Sequence, residues 1–364
     1  MVFTIIIAFV SLIGLMILHE FGHFVVAKRF GVKVEEFGIG YPPRLFGKRI
    51  GETIYSLNLI PFGGFVRMYG EEKDIKDPRS FTGKPIWQRT LIIIGGVVAF
   101  WVIAAILLTI VFGLGAPTAV SDEENGNLID PKVQIMAVAS NSPAEKTGLK
   151  TGDTIVNLKF QILKIKTDKV KEVQEFIEAH KGKEITLSIQ RGKDIFDISL
   201  IPRVEPPKDE GAMGVALVRT AIKAYPWYQS PIQGILATGN LTIAIVQGWG
   251  RILGSLLKGE GMPSGVKIAG PVKIFIMIGE SVRLGLVNFL SFIAMISVAV
   301  ALFNILPIPA LDGGKLLFLG IEAVRKKPVS QKIEQNITVA FFMILIALMV
   351  LVTIKDITKI ILNI

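Results

Sequence analysis

Long uncharged segments dominate the pattern of hydrophobic and polar positions along the chain. Four of them contain no Asp, Glu, Lys or Arg: residues 1–18, 90–114, 284–311 and 337–354. A helix rising 1.5 Å per residue needs roughly 20 apolar residues to cross a bilayer core. The pattern therefore predicts a polytopic α-helical membrane protein, rather than the buried helices of a soluble domain. The predicted transmembrane helices are residues 1–29, 90–114, 284–314 and 337–361.

A fifth uncharged segment, residues 224–250, differs from these four because Gln, Ser, Thr and Asn side chains recur along it. This mixture predicts an amphipathic helix at or near the membrane surface. The helix would belong to an extracytoplasmic segment, residues 205–283. A fifth membrane span is the alternative.

Residues 127–204 have the pattern of a compact α/β domain. Val133–Val138 and Ile185–Gln190 resemble strands, and Glu172–His180 resembles a helix. A second strand, Ile195–Ile201, would follow a tight turn and form a hairpin.

The distribution of charge predicts on which side of the membrane each loop lies. The chain has a net charge of +10, and the loops at 28–89 and 315–332 are both rich in Lys and Arg. Such loops mark the cytoplasmic side, which places the α/β domain outside the cytoplasm. Residues 30–89 also contain an alternating stretch, Thr53–Leu59, that predicts a β-hairpin region. No nucleic-acid partner is expected, because no basic patch carries interleaved aromatic residues. The absence of cysteine excludes thiolate metal sites.

The first apolar segment runs into a histidine motif, His19-Glu20-Phe21-Gly22-His23. On a helix, residues four apart lie on one face, so His19 and His23 can bind one Zn²⁺. The adjacent Glu20 can then act as general base on the attacking water. Ionisable groups inside an apolar helix are costly, and they usually mark functional sites rather than structural hydrogen-bond clusters.

A third protein ligand is expected because catalytic zinc sites usually have three. The candidate is Asp312, which follows two helix-interrupting prolines, Pro307 and Pro309, and precedes a pair of glycines. At membrane depth, such irregular backbone must be buried in protein or line a wet cavity.

Depth in the membrane supports this pairing. His19 lies about 13 Å along the helix from Lys28, and Asp312 lies three residues before Lys315. The two side chains share a depth only if the first and third spans run parallel, which requires a single crossing between them. A fifth span at 224–250 would reverse the third span, so the zinc site favours the surface helix.

These residues resemble the site-2 protease family of intramembrane zinc metalloproteases, in its bacterial branch with the regulator-of-sigma-E protease. The most specific similarities are the His19–His23 motif and the stretch from Asn304 to Gly314. The segment Pro61–Met68 resembles the membrane-associated β-hairpin of the family, and Ser142–Asp153 resembles its extracytoplasmic PDZ domain.

The resemblance implies that His19, His23 and Asp312 bind Zn²⁺, that Glu20 is the general base, and that Asn304 contacts the substrate backbone. It implies a multi-pass protein of the bacterial cytoplasmic membrane that cleaves membrane-spanning segments, such as those of anti-sigma factors or remnant signal peptides. The PDZ-like domain is expected to bind a peptide ligand.

The chain departs from the family in two respects. A Gly-Pro-x-x-Asn motif, frequent in the second span of members, is replaced by Gly95–Ala99, and a single PDZ-like domain is predicted where some members have two. Two alternatives to intramembrane proteolysis are a non-catalytic membrane scaffold that displays the PDZ-like domain and a membrane-anchored protease of soluble peptides. The presence of Glu20 argues against the first, and the depth of His19 argues against the second.

Overall fold

The structure of the protein is a computed structural model. The structure describes residues 2–71, 75, 77–124, 128–192, 194–207, 210–259, 261 and 270–362. Residue 127, the predicted first residue of the α/β domain, lies outside these ranges. The chain divides into two compact units, one formed by residues 1–110, 231–245 and 269–364 and the other by residues 111–230 and 246–268.

The first unit contains the long apolar helices. Its elements in chain order are α1 (Val2–Arg29), β1 (Val34–Ile50), β2 (Thr53–Met68) and α2 (Ile86–Leu114), which extends into the second unit. Strands β1 and β2 form an antiparallel hairpin with several register shifts, from Ile50 opposite Thr53 at the turn to Val34 opposite Met68.

The second unit is built on an antiparallel sheet. Its elements are β3 (Ala116–Ala119), β4 (Ile129–Val138), α3 (Pro143–Lys146), β5 (Thr154–Phe160), β6 (Leu163–Lys166), α4 (Val170–Ala179), β7 (Ile185–Arg191), β8 (Asp194–Leu200) and β9 (Val215–Lys223). The strand order is β3-β9-β4-β5-β7-β8, and β6 pairs with β5. Helix α4 buries Val173, Phe176 and Ile177 in the core of this unit.

The sheet extends beyond the predicted limits of the α/β domain, 127–204. Strand β9 begins at Val215, and it lies between β3 and β4 inside the sheet. Arg219 of β9 is buried and donates to the main-chain oxygens of Ser121, Glu124 and Asp168. The unit therefore includes strands on both sides of the predicted range, β3 before it and β9 after it. Because these strands pair across about 100 residues of chain, no local sequence pattern predicts their pairing.

The remaining elements are α5 (Ser230–Leu257), α6 (Pro271–Arg283), α7 (Leu286–Ile305), α8 (Asp312–Arg325) and α9 (Gln331–Leu362). Among the described residues, four helical segments are long and apolar enough to cross a membrane: Ile6–Arg29, Ile86–Leu114, Leu286–Asn304 and Gln331–Thr358. This number agrees with the sequence prediction, and the chain is a polytopic membrane protein.

Helix α7 ends earlier than predicted. The third span was expected to continue to residue 314, but the helix stops at Ile305, and Leu306 adopts an extended conformation before Pro307. A residue preceding proline is driven out of the helical region, and proline cannot donate the next helical hydrogen bond. Asp312 is consequently the first residue of a separate helix, α8.

Helix α5 contains most of residues 224–250, the segment predicted to be a surface helix, and it packs against α2. Its residue Gly234 packs against Thr109 of α2, and Trp101 Nε1, two turns earlier in α2, donates to Thr242 Oγ1 at 3.2 Å. These contacts run in opposite order along the two helices, so this part of α5 lies antiparallel beside α2. Hydroxyl groups of α5 bond back to its own carbonyls, as Thr238 does to Gly234, which allows polar residues to pack against an apolar neighbour. Helix α5 is not among the four segments that meet the length and hydropathy expected of a membrane span, and whether it lies at the membrane surface or crosses the membrane stays a prediction.

Candidate metal centre

The two histidines of the motif lie on one face of α1. One helical turn separates them, and their Nε2 atoms are 3.3 Å apart. Their rings meet edge to face, with centroids separated by 4.6 Å. This arrangement follows from the spacing of four residues, which brings side chains together on a helix of 3.6 residues per turn.

Asp312 completes a cluster of three potential ligands. Its Oδ2 lies 3.2 Å from His19 Nε2 and 3.4 Å from His23 Nε2. The break after α7 makes this approach possible, because Gly313 and Gly314 pack directly on the main-chain carbonyls of residues 305, 306 and 308. A side chain at either glycine would collide with that backbone.

The three atoms fit a zinc ion. Tetrahedral ligands at the usual Zn–N and Zn–O distances are separated from one another by about 3.3 Å, which agrees with the three observed separations of 3.2, 3.3 and 3.4 Å. Among the described residues, Asp312 Oδ2 is also buried without a hydrogen-bond donor. Such an orphaned carboxylate oxygen is costly, and coordination of a cation would compensate for it.

His23 is oriented by α2. Its Nδ1 lies 2.9 Å from the carbonyl oxygen of Ile92, and the residue is buried. Because a carbonyl only accepts hydrogen bonds, Nδ1 carries the proton and Nε2 presents its lone pair toward the cluster. Zinc-bound histidines are commonly fixed in this way by a partner on the second ring nitrogen.

Close packing of α1 on α2 depends on glycine. A Cβ at Gly22 would collide with the carbonyl of Gly95, and a Cβ at Gly96 would collide with the imidazole of His23. Ala99 stands where many site-2 proteases have the asparagine of the Gly-Pro-x-x-Asn motif, and its Cβ faces Gly22.

We expect Gly96→Ala to weaken metal binding. Alanine ordinarily stabilises a helix interior relative to glycine by about 1 kcal/mol, but here its methyl group would displace the His23 ring. The predicted result is a zinc affinity at least about 10-fold lower, measured by competition with a chromophoric chelator.

Gly14→Ala is the matched control for this substitution. Gly14 is also a helical glycine, in α1, and, apart from its own helix backbone, a Cβ there would meet no heavy atom of the described residues within 4 Å. Its zinc affinity should equal that of the wild type. Equal affinities for both variants would show that the contact of Gly96 with His23 does not constrain the site.

Neither Glu20 nor Asn304 belongs to the three-atom cluster. Glu20 lies between the two histidines in sequence, and a Cβ at Gly64 of β2 would come within 3.5 Å of its Cγ. The hairpin thus passes beside the predicted general base. Asn304 Nδ2 donates to the carbonyl of Val300 on its own helix at 3.1 Å, and its substrate contact stays a prediction.

Helix α8, which begins with Asp312, is held by ion pairs that the sequence did not predict. Arg89 of α2 forms a two-pronged interaction with Glu322, and Lys315 Nζ lies 2.6 Å from Glu71 Oε1. Attraction to Glu71 raises the pKa of Lys315. Both pairs join residues more than 200 positions apart in the chain, so no local spacing could have identified them.

The sequence profile of peptidase family M50, the site-2 protease family, matches residues 7–348. The chain belongs to this family.

Known M50 relatives resemble the chain over almost its whole length. A putative zinc metalloprotease of Clostridium perfringens is 36% identical over 356 residues, which cover 97% of this chain and 98% of the relative. A putative zinc metalloprotease of Clostridium acetobutylicum is 31% identical over 98% of this chain and 97% of the relative. The regulator of sigma-W protease RasP of Bacillus subtilis is 27% identical over 97% of this chain and 98% of the relative.

Membership in M50 agrees with the predicted enzyme class. The protein is an intramembrane zinc metalloendopeptidase, and its relatives imply zinc as the metal. The group formed by His19, His23 and Asp312 is the candidate site for that ion.

Proposed function

We propose that this M50 protease hydrolyses peptide bonds within membrane-spanning segments, with His19, His23 and Asp312 as zinc ligands and Glu20 as general base. The observation that carries the proposal is the convergence of the three ligand atoms on a candidate membrane helix, where His19 and His23 lie well inside the segment Ile6–Arg29. Anti-sigma factors and remnant signal peptides are the proposed substrates; the name of the sigma-W relative supports a role in sigma-factor regulation.

The chemistry divides between the metal and Glu20. When bound, zinc supplies a Lewis acid that activates water and stabilises negative charge on the scissile carbonyl oxygen. Glu20 accepts the proton of the attacking water and donates it to the leaving amine. Asn304 would hold the substrate main chain beside these groups.

A substrate helix hides its peptide bonds, so it must become extended before cleavage. The 64–68 segment of β2 pairs with residues 34–39 of β1 on one side, and Phe65–Met68 line a cavity of about 890 Å³ together with Tyr41 and Lys315. A substrate strand could add to this segment by main-chain hydrogen bonds. Because Gly64 lies beside Glu20, the added strand would pass the proposed general base.

The hairpin has the surface of a membrane-associated element. Leu45, Phe46 and Ile50 near its turn are each more than half exposed, and basic residues alternate with them at Arg44, Lys48 and Arg49. Exposed apolar side chains mixed with cations suit the headgroup region of a bilayer. We place this hairpin on the cytoplasmic side of a bacterial inner membrane.

The second unit is proposed to be an extracytoplasmic PDZ-like domain that binds a peptide or limits the size of substrates. The resemblance of Ser142–Asp153 supports this assignment. Hydrogen bonds hold the local structure of that stretch: Ser142 caps α3, and Arg191 donates two hydrogen bonds of 2.7 Å to the carboxylate of Asp153. PDZ domains bind peptides by strand addition.

The test is cleavage of a transmembrane test substrate by the purified protein in lipid vesicles. We expect cuts inside the apolar segment, complete loss of cleavage after treatment with a zinc chelator, and recovery when Zn²⁺ is restored. Mass spectrometry of the products locates the cuts. Cuts confined to the soluble flanks of the substrate would contradict intramembrane cleavage and favour a membrane-anchored protease of soluble peptides.

A further inference from the structure

The two histidines of the candidate metal centre are held in place by different means. His23 is fixed by a hydrogen bond from its Nδ1 to the carbonyl of Ile92. The Nδ1 atom of His19 is buried but has no hydrogen-bond partner among the described residues. No hydrogen bond at Nδ1 therefore fixes the orientation of the His19 ring in the described part of the chain.

Phe100 of α2 lies against the face of His19. The two ring centroids are 4.7 Å apart, and the ring planes are inclined by only 17°. Phe100 is 1% exposed, so its ring has little freedom to move. With Phe100 stacked on its face and His23 packed edge to face beside it, the His19 ring is confined.

A hydrogen bond from a third helix fixes the backbone at Phe100. Ser297 of α7 is fully buried, and its Oγ donates to the carbonyl oxygen of Phe100 at 2.8 Å. The bond ties α7 to α2 at the residue that touches His19. The chain of contacts therefore runs from Ser297 through Phe100 to a proposed zinc ligand.

We propose that Phe100 is a positioning residue that orients His19 and strengthens zinc binding, with Ser297 holding it in place. The inference rests on the proposed role of His19 as a ligand. Coordination through Nε2 draws electron density from the imidazole and leaves the ring more positive. A ring of this kind is attracted to the negative face of a phenyl group, as cations are. The stack thus favours the metal-loaded state and takes the place of the missing hydrogen bond at Nδ1.

The test measures zinc affinity of the full-length protein in detergent by competition with a chromophoric chelator, without substrate. We expect Phe100→Leu to lower the affinity about 10-fold, at the lower end of the range for residues that orient zinc ligands. Phe292→Leu is the matched control, because Phe292 belongs to the same apolar cluster and the same substitution is made there. Its affinity should stay within about twofold of the wild type. Equal losses in both variants would overturn the proposal.

A second measurement distinguishes electrostatic stacking of Phe100 on His19 from an effect of side-chain volume alone. Pentafluorophenylalanine at position 100 is close in size to phenylalanine but reverses the charge distribution of the ring. We expect it to lower zinc affinity and to shift the visible absorption spectrum of the Co²⁺-substituted protein. Wild-type affinity and an unchanged spectrum would overturn the proposal. Because zinc binding is measured without cleavage, this failure is distinguishable from failure of the proposed protease function, which would leave zinc binding intact.

Discussion

Glu20→Gln should abolish most cleavage of a transmembrane substrate while leaving zinc in place. Gln cannot accept a proton from water, and loss of a general acid–base residue typically lowers the rate 10²- to 10⁴-fold. The carboxylate of Glu20 is not among the three ligand atoms, so the metal content should stay at the wild-type value. Single-turnover cleavage and metal analysis of the same preparation measure the two effects.

Glu52→Gln is the control for this substitution. Glu52 is an exposed acid at the hairpin turn, where a hydrogen bond from Lys28 lowers its pKa. Its removal should leave cleavage unchanged. Undiminished cleavage by Glu20→Gln would refute the proposed mechanism, whereas loss of zinc from that variant would show that Glu20 supports the metal.

Asp312→Ala is expected to remove zinc and with it all measurable activity. The substitution deletes the ligand from α8 and leaves two histidines on one helix, which cannot alone hold a catalytic zinc in the usual three-ligand arrangement. We expect zinc affinity to fall by at least about 100-fold, beyond the effect of losing an orienting residue. Chelator competition measures the affinity, and circular dichroism reports whether the helices persist.

Asp130→Ala provides the comparison for Asp312→Ala. Asp130 is an exposed residue in the second unit, with 64% of its side chain accessible, and zinc affinity should not change. Full retention of zinc by Asp312→Ala would remove Asp312 from the ligand set and would also undermine the parallel arrangement of the first and third spans that was inferred from it.

Local patterns in the sequence predicted the four candidate spans and the three candidate ligand residues. Uninterrupted apolar length identified the four candidate spans, and the spacing of His19 and His23 placed two candidate ligands on one helix face. Asp312 was identified because two prolines and two glycines around it have no ordinary role in a membrane helix. Strands β7 and β8 were likewise recognisable from their alternation and the turn between them.

Features that depend on contacts between distant segments could not be predicted from local sequence patterns. The insertion of β9 beside β3, the alignment of α5 with α2 and the ion pair between Arg89 and Glu322 have no periodic signature. The same is true of the contacts at Gly96 and Phe100. Each residue looks like an ordinary member of an apolar helix until α1 packs against α2.

The separation of Asp312 from the two histidines along the chain has a consequence for biosynthesis. Domains form progressively as a chain is made, at about 5–20 residues per second. A nascent chain that has inserted only its first spans holds His19, Glu20 and His23 but lacks Asp312, the proposed third ligand. The complete ligand set can form only after α7 has been synthesised and the chain has turned at Pro307 and Pro309. With the proposed ligand set, the protein would acquire a complete zinc centre only late in its own synthesis.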